Sequence, residues 1–227
     1  MTSYRFWTGL FFIVLLAHIL CIRADMAVGQ YIFKPLIIPV LYAWFFFQTR
    51  EAGTSLKKWI VAALFFSWAG DILLMFVPRD EVFFLAGLAS FLLAHIFYIL
   101  FFHFTRLREG VQSRVWLLLP VVLYYVVFIS WLSPWLDDMK IPVRVYGIVI
   151  SFMWMLALHM LFIRDRKAGR WLAAGAFLFV VSDSLLAVNK FYTAFEGAGE
   201  LIMLTYGLAQ WGITRGAVQY IRQANSR

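Results

Sequence analysis

A chain of 227 residues that is 63% hydrophobic and only 14% charged, with a mean hydropathy of +0.82, is not a soluble domain; soluble domains carry about a quarter charged residues. Its net charge of +8 would suit nucleic acid in a polar protein, but here it reads as basic residues placed for topology, and no nucleic-acid partner is expected. The single cysteine, Cys21, excludes an intramolecular disulfide and a thiolate metal cluster.

Apolar runs long enough to cross a hydrocarbon core of about 30 Å recur along the chain. Nothing alternates like the strands of a membrane barrel. The reading is eight helices, at about 6–22, 32–49, 56–77, 82–104, 115–133, 141–163, 170–190 and 200–221. The first run, FWTGLFFIVLLAHILCI, lacks the small-residue cleavage site of a signal peptide and is kept as a helix. Span two opens with Lys34 ahead of Pro35, where proline suits a first helical turn. Span three carries Asp71 within SWAGDILLMF, and span four carries His95 and Tyr98 within FLLAHIFY. Tyr146 falls in span six, Asp183 and Lys190 in span seven within FVVSDSLLAVNK, and Tyr206 and Gln210 in span eight within TYGLAQ. The connectors are short and polar, so residues 1–227 form one all-α, multi-pass membrane bundle with no soluble domain.

Charge sets the expected orientation. Arg5, Arg50, Lys57, Lys58, Arg106, Arg108, Arg114, Arg164, Arg166, Lys167, Arg170, Arg215, Arg222 and Arg227 fall on one side, 14 of the 20 bases. The positive-inside rule then places both termini in the cytoplasm. Short loops and no targeting extension point to a bacterial inner membrane. GDILL in span three echoes SDSLL in span seven, and LLAH in span four echoes GLAQ in span eight. This pattern suits two four-helix halves related by an axis along the membrane normal, although leucine-rich segments also match by chance.

Asp71 and Asp183 are the residues that ask for chemistry. Counting along the helices puts them about 9 and 12 Å below the outer surface. An intramembrane carboxyl costs at least about 2.5 kcal/mol, so each should face the bundle interior or a watery cavity. One reading makes each a structural aspartate bonded to neighbouring helices; two at matching depth favour a shared site instead. Tyr146, Tyr206 and Gln210 fall in the same layer, with Lys190 and Lys34 above it. Each alone also reads as an interfacial anchor. His95 is either a polar helix–helix contact or the floor of the cavity. Zinc catalysis needs about three ligands converging on one ion; His18, His95, His103 and His159 lie at different depths, so no metal and no cofactor are expected, with a site of Asp71, Asp183 and one histidine as the alternative. There is no G-x-S-x-G, H-E-x-x-H or phosphate loop.

FKP with Lys34 and Pro35, GDILLMF with Asp71, FLLAHIFY with His95 and Tyr98, GAFLFVVSDSLLAVNKF with Asp183 and Lys190, and TYGLAQ with Tyr206 and Gln210 together carry a resemblance. The chain resembles the YhhN-like lysoplasmalogenase family over essentially its whole length. The resemblance implies a membrane hydrolase that cleaves the vinyl ether of lysoplasmalogens to a fatty aldehyde and glycerophosphoethanolamine or glycerophosphocholine. It implies a lysophospholipid substrate amid membrane lipids, with Asp71 and Asp183 as acid and base. Lys34, Lys190, Tyr146, Tyr206, Gln210, His95 and Tyr98 would then surround the substrate. Vinyl ethers open when carbon is protonated, and two carboxyls flanking the resulting oxocarbenium ion parallel the glycosidases. A proton- or cation-coupled transporter and a non-catalytic lipid-binding protein are the alternatives from other classes.

Overall fold

A backbone in hydrocarbon has no water to pair with, so a spanning chain with this composition must close its hydrogen bonds within helices. The computed structural model describes residues 2–225. Among the described residues there are eight long helices: α1 Thr2–Arg23, α2 Ala27–Thr49, α3 Lys57–Leu74, α4 Val82–Arg108, α5 Leu118–Leu132, α6 Lys140–His159, α7 Arg166–Ala187 and α8 Ala198–Asn225. Six of the helical segments are long and apolar enough to cross a membrane by length and composition. The two helices outside that set are α3, which carries Lys57, Lys58 and Asp71, and α8. This is a multi-pass integral membrane protein.

The helices pack as a closed ring in the order α1, α2, α3, α4, α6, α7, α8, with α8 also touching α2 and α3. Position in the ring explains composition. α8 is enclosed on several sides, so Gln210, Trp211 and Thr214 are buried along it without any need for a lipid-facing stripe. Helix α5 is the opposite case. It packs on α6 outside the ring, and Leu119, Leu123 and Val127 face outward, while only Val121 and Leu132 are buried along it.

The tightest neighbours are α7 with α8 and α3 with α4. Those pairs, together with α2–α3 against α6–α7 and α4–α6 against α8–α2, correspond as two four-helix halves would. The departure is at the flanks, since α1 packs on α8 but α5 has no comparable contact with α4. Small residues allow the close approach of α7 and α8. A Cβ on Gly175 would stand 2.6 Å from the Ile213 nitrogen and 2.8 Å from the Ala209 oxygen, both backbone atoms that cannot step aside.

Several boundaries differ from expectation. The connector expected over residues 23–30 is only three residues long, because α1 runs to Arg23 and α2 begins at Ala27. Lys34 and Pro35 therefore lie inside α2, with Pro39, rather than opening it. The prolines remove two backbone donors, and Pro39 leaves the Pro35 carbonyl without its helical partner. Trp68 of α3 fills that gap, its Nε1 donating to the Pro35 oxygen at 3.0 Å. Helix α3 ends at Leu74 rather than near 77, so Asp71 lies one turn from its end. Regular α7 stops at Ala187 and continues as a π-helical turn, Val188–Tyr192.

The start of α1 and the end of α8 lie at one end of the bundle, since α1 runs antiparallel to α8: Arg23 approaches Glu200 at 3.7 Å, and Phe11 stacks on Trp211 at 5.5 Å. The basic connectors gather at the terminal end. Arg108 donates to Thr54, the Arg164 amide to Glu109, and Arg222 to Gln48. Arg227, counted with this set in the sequence, lies outside the described residues.

Close packing at Gly175 predicts a sharp contrast. Gly175→Ala should destabilise the protein by about 1–3 kcal/mol, the usual cost of overpacking, seen as a lower melting temperature in detergent. Gly9→Ala, with nothing within 4 Å of the added carbon, should leave melting unchanged or slightly raised.

Candidate active site

A carboxyl inside a helical bundle must find donors on neighbouring helices, and each intramembrane aspartate does so separately. Asp71 on α3 is 2% exposed. Tyr206 of α8 donates to its Oδ2 at 2.8 Å. Lys34 of α2 is its electrostatic neighbour, without an ion pair or hydrogen bond between them. The Phe91 ring lies against Gly70, the residue before Asp71, where an added Cβ would stand 2.7 Å from it.

Asp183 on α7 is more open, with its side chain 16% exposed. Tyr146 of α6 donates to its Oδ2. The Nε2 of His95, on α4, stands 3.9 Å from the same oxygen. Beside it, Tyr124 of α5 and Ser184 share a hydrogen bond that ties the peripheral helix to the residue after Asp183. Asp183 lines a cavity of about 50 Å³ whose walls are mostly apolar, with Phe84 and Phe91 of α4, Tyr146 of α6 and Phe191 among them. That is room for about one or two water molecules at some 30 Å³ each.

The cavity wall does not include Asp71, Tyr206 or Gln210. Aromatic rings join the surroundings of the two acids. Phe91 meets Tyr206 edge-on at 5.8 Å, and Phe179 meets Tyr206 at 5.5 Å. The layer expected around both carboxyls is thus divided: Tyr146 and His95 accompany Asp183, while Tyr206 and Lys34 accompany Asp71. Tyr98 and Gln210 belong to neither acid directly. The Tyr98 hydroxyl donates to Gln210 Oε1 at 2.5 Å, and Gln210 Nε2 donates to Ser67 Oγ at 2.9 Å, joining α4, α8 and α3 one turn below Asp71.

Lys190 sits at the rim. Its ammonium contacts both carboxylate oxygens of Glu81, at 2.9 and 2.8 Å, and lies 5.2 Å from the centre of the Phe84 ring, which lines the cavity. The π-helical turn carries both Lys190 and the lining residue Phe191. Glu81 was not apparent as a site residue, because a polar connector such as PRDE carries no sign of a partner 109 residues away. Ser67 was equally silent, one hydroxyl within an apolar run. Among the described residues, no group of three His, Cys, Asp or Glu side chains is arranged to hold a metal ion.

Residues 29–217 match the YhhN family. The chain belongs to the YhhN family. The matched stretch contains every site residue from Lys34 to Gln210. Lysoplasmalogenase of Mycobacterium bovis is 32% identical over 163 residues, which are 70% of this chain and 60% of the relative. The YhhN-family chain thus spans less than two thirds of that mycobacterial relative. Lysoplasmalogenase TMEM86B of Homo sapiens is 30% identical over 187 residues, 80% of this chain and 73% of its own. Lysoplasmalogenase TMEM86A of Homo sapiens is 32% identical over 195 residues, 80% and 76% of the two chains. No solved structure matches this YhhN-family chain.

The Tyr98–Gln210–Ser67 chain generates a stability prediction. Tyr98 is fully buried, so Tyr98→Phe should cost about 1–3 kcal/mol by leaving Gln210 short of a donor. Thermal melting in detergent checks it; an unchanged midpoint would remove the structural role given to that chain.

Proposed function

We propose that this YhhN-family protein hydrolyses the vinyl ether of lysoplasmalogens, releasing a fatty aldehyde and glycerophosphoethanolamine or glycerophosphocholine. The observation that carries the reading is Asp183, a carboxyl opening on a small apolar cavity whose rim holds a lysine. The names of the relatives supply the reaction class, and the cavity supplies the place for it. Asp183 gives its proton to the alkenyl carbon beyond the ether-linked carbon. The resulting oxocarbenium ion takes water at the ether-linked carbon, and the hemiacetal separates into aldehyde and glycerol hydroxyl. As a carboxylate, Asp183 is held by the Tyr146 hydroxyl and can take back a proton from the water, so one group serves as acid and then base.

Asp71 is the second acid of this reading, and it works from behind the Phe91 ring. A carboxylate there favours the cation through a medium of low dielectric without touching it. Lys190 lies seven residues beyond Asp183, about 10 Å at the helical rise. With the vinyl ether at Asp183, the phosphate of a lysolipid therefore comes level with the reach of the Lys190 ammonium. Lys34 stands beside Asp71 and away from the cavity, which assigns it to that carboxylate rather than to the phosphate.

The cationic end faces the cytoplasm in this reading, and the cavity mouth opens in the outer leaflet, where a single-chain lipid can enter between helices. Reporter fusions after Asn225 and within residues 78–81 should report cytoplasmic and external sides, respectively; the reverse result would invert the leaflet of entry.

Purified protein in detergent should release aldehyde from a vinyl-ether lysolipid. Asp183→Asn should lower kcat by about 100-fold or more, the usual scale for a general acid–base group, with little loss of folded yield. Asp71→Asn should also lower kcat, whereas Lys190→Met should raise KM by about tenfold and leave kcat close to normal, as loss of uniform binding does. Near-normal turnover in Asp183→Asn would sink the mechanism. No aldehyde from the wild type, with uptake of lysolipid into proteoliposomes, would replace hydrolysis by transport.

A further inference from the structure

His95 is fully buried, and neither ring nitrogen has a hydrogen-bond partner. A neutral imidazole carries one donor and one acceptor, and leaving both unmet in a buried place is unusual enough to need a reason. The ring is held firmly despite that. Its centre lies 4.6 Å from Phe179 and 5.3 Å from Tyr146, both in edge-on geometry. It follows Phe91 by four residues on α4, so the two share one helix face. Phe91 lines the cavity, and His95 lies one turn deeper, against Asp183.

The 3.9 Å between His95 Nε2 and Asp183 Oδ2 is too long for a direct hydrogen bond. It is short enough for one water to bridge the pair with two bonds of about 2.8 Å. Because Tyr146 already donates to Oδ2, the other carboxyl oxygen, Oδ1, is left to the substrate. Neither His95 nor Asp71 forms part of the cavity wall; His95 reaches the site through Asp183 Oδ2, whereas Asp71 is bonded to Tyr206.

We propose that His95 and Asp183 together seat the water that attacks the oxocarbenium ion, so that the pair handling the water is Asp183 with His95, while Asp71 acts on the cation alone. This rests on the hydrolase reading above. The water's oxygen bonds to the ether-linked carbon. One of its protons returns to the Asp183 carboxylate, restoring the acid spent on the alkenyl carbon. The remaining proton of the new hydroxyl passes to the departing glycerol oxygen as the carbon–oxygen bond breaks, so protons and electrons balance over one turnover. His95 acts on the water and through Asp183 and is a positioning residue.

The experiment compares His95→Phe, His95→Gln and His95→Ala in detergent, with kcat for a vinyl-ether lysolipid and Kd for its 1-O-alkyl analogue, which binds but has no double bond to protonate. His95→Phe should lose about 100-fold in kcat while the analogue binds as to wild type. His95→Gln, which can still bond to water, should stay within about tenfold of wild type, and added imidazole should restore part of the turnover of His95→Ala. Wild-type turnover in His95→Phe would overturn the proposal. So would a His95→Gln variant as slow as His95→Phe, or loss of kcat in step with loss of analogue binding. If His95→Phe does not fold, the Gln variant and the imidazole response decide. Aldehyde from the wild type with any of those overturning results removes only the water seat; no aldehyde from the wild type removes the hydrolase reading as well.

Discussion

A polar side chain in a hydrocarbon surround survives only where another helix faces it, and α8 provides that facing surface for much of this bundle. It meets α1, α2, α3 and α7, and it supplies Tyr206 to Asp71 and Gln210 to Ser67 and Tyr98. The glycine at position 175 allows α7 to come close enough for Asp183 to share this interior. Without a helix so enclosed, α3 would have to present Asp71 to lipid.

Matching positions in the α3–α4 and α7–α8 pairs serve different ends. Gln210 reaches Ser67, four residues before Asp71; His95 meets Phe179, four residues before Asp183. Tyr206 serves Asp71, while the corresponding place four residues before His95 is held by Phe91, which has no hydroxyl to give. One acid is therefore bonded to a tyrosine of α8 and buried. The other borrows its donor from α6, through Tyr146, and is left with an opening beside it. The cavity lies on the side where no second tyrosine closes the carboxyl in.

Much of the helix count and the identity of the two acids was legible because both follow from hydropathy: long apolar runs, and two carboxyls that interrupt them. The end of the bundle that collects the bases was legible for the same reason. What escaped the sequence was lateral. Depth along a helix can be counted, but Asp71 and Asp183 face different partners, and the face of each is set by packing. The start of α2 was misplaced because Lys34–Pro35 has the form of a helix opening. Only the cross-helix donor Trp68 shows how an interior proline pair is accommodated. Glu81 and Lys190 meet across long sequence separation, a relation that periodicity does not encode.

The π-helical turn at Val188–Tyr192 also bears on how this region tolerates length change. A π-turn holds one more residue than the α-turn it replaces. Deleting a single residue there would let the segment return to regular helix with its backbone bonds intact. Residue i+5 of a π-turn stands where residue i+4 of an α-turn would, so everything beyond the deletion would keep nearly its present heading. The cost would then depend on which residue is removed: losing Lys190 would free Glu81, and losing Phe191 would open the wall of the cavity. A spare residue, rather than a shifted register, is what this turn stores.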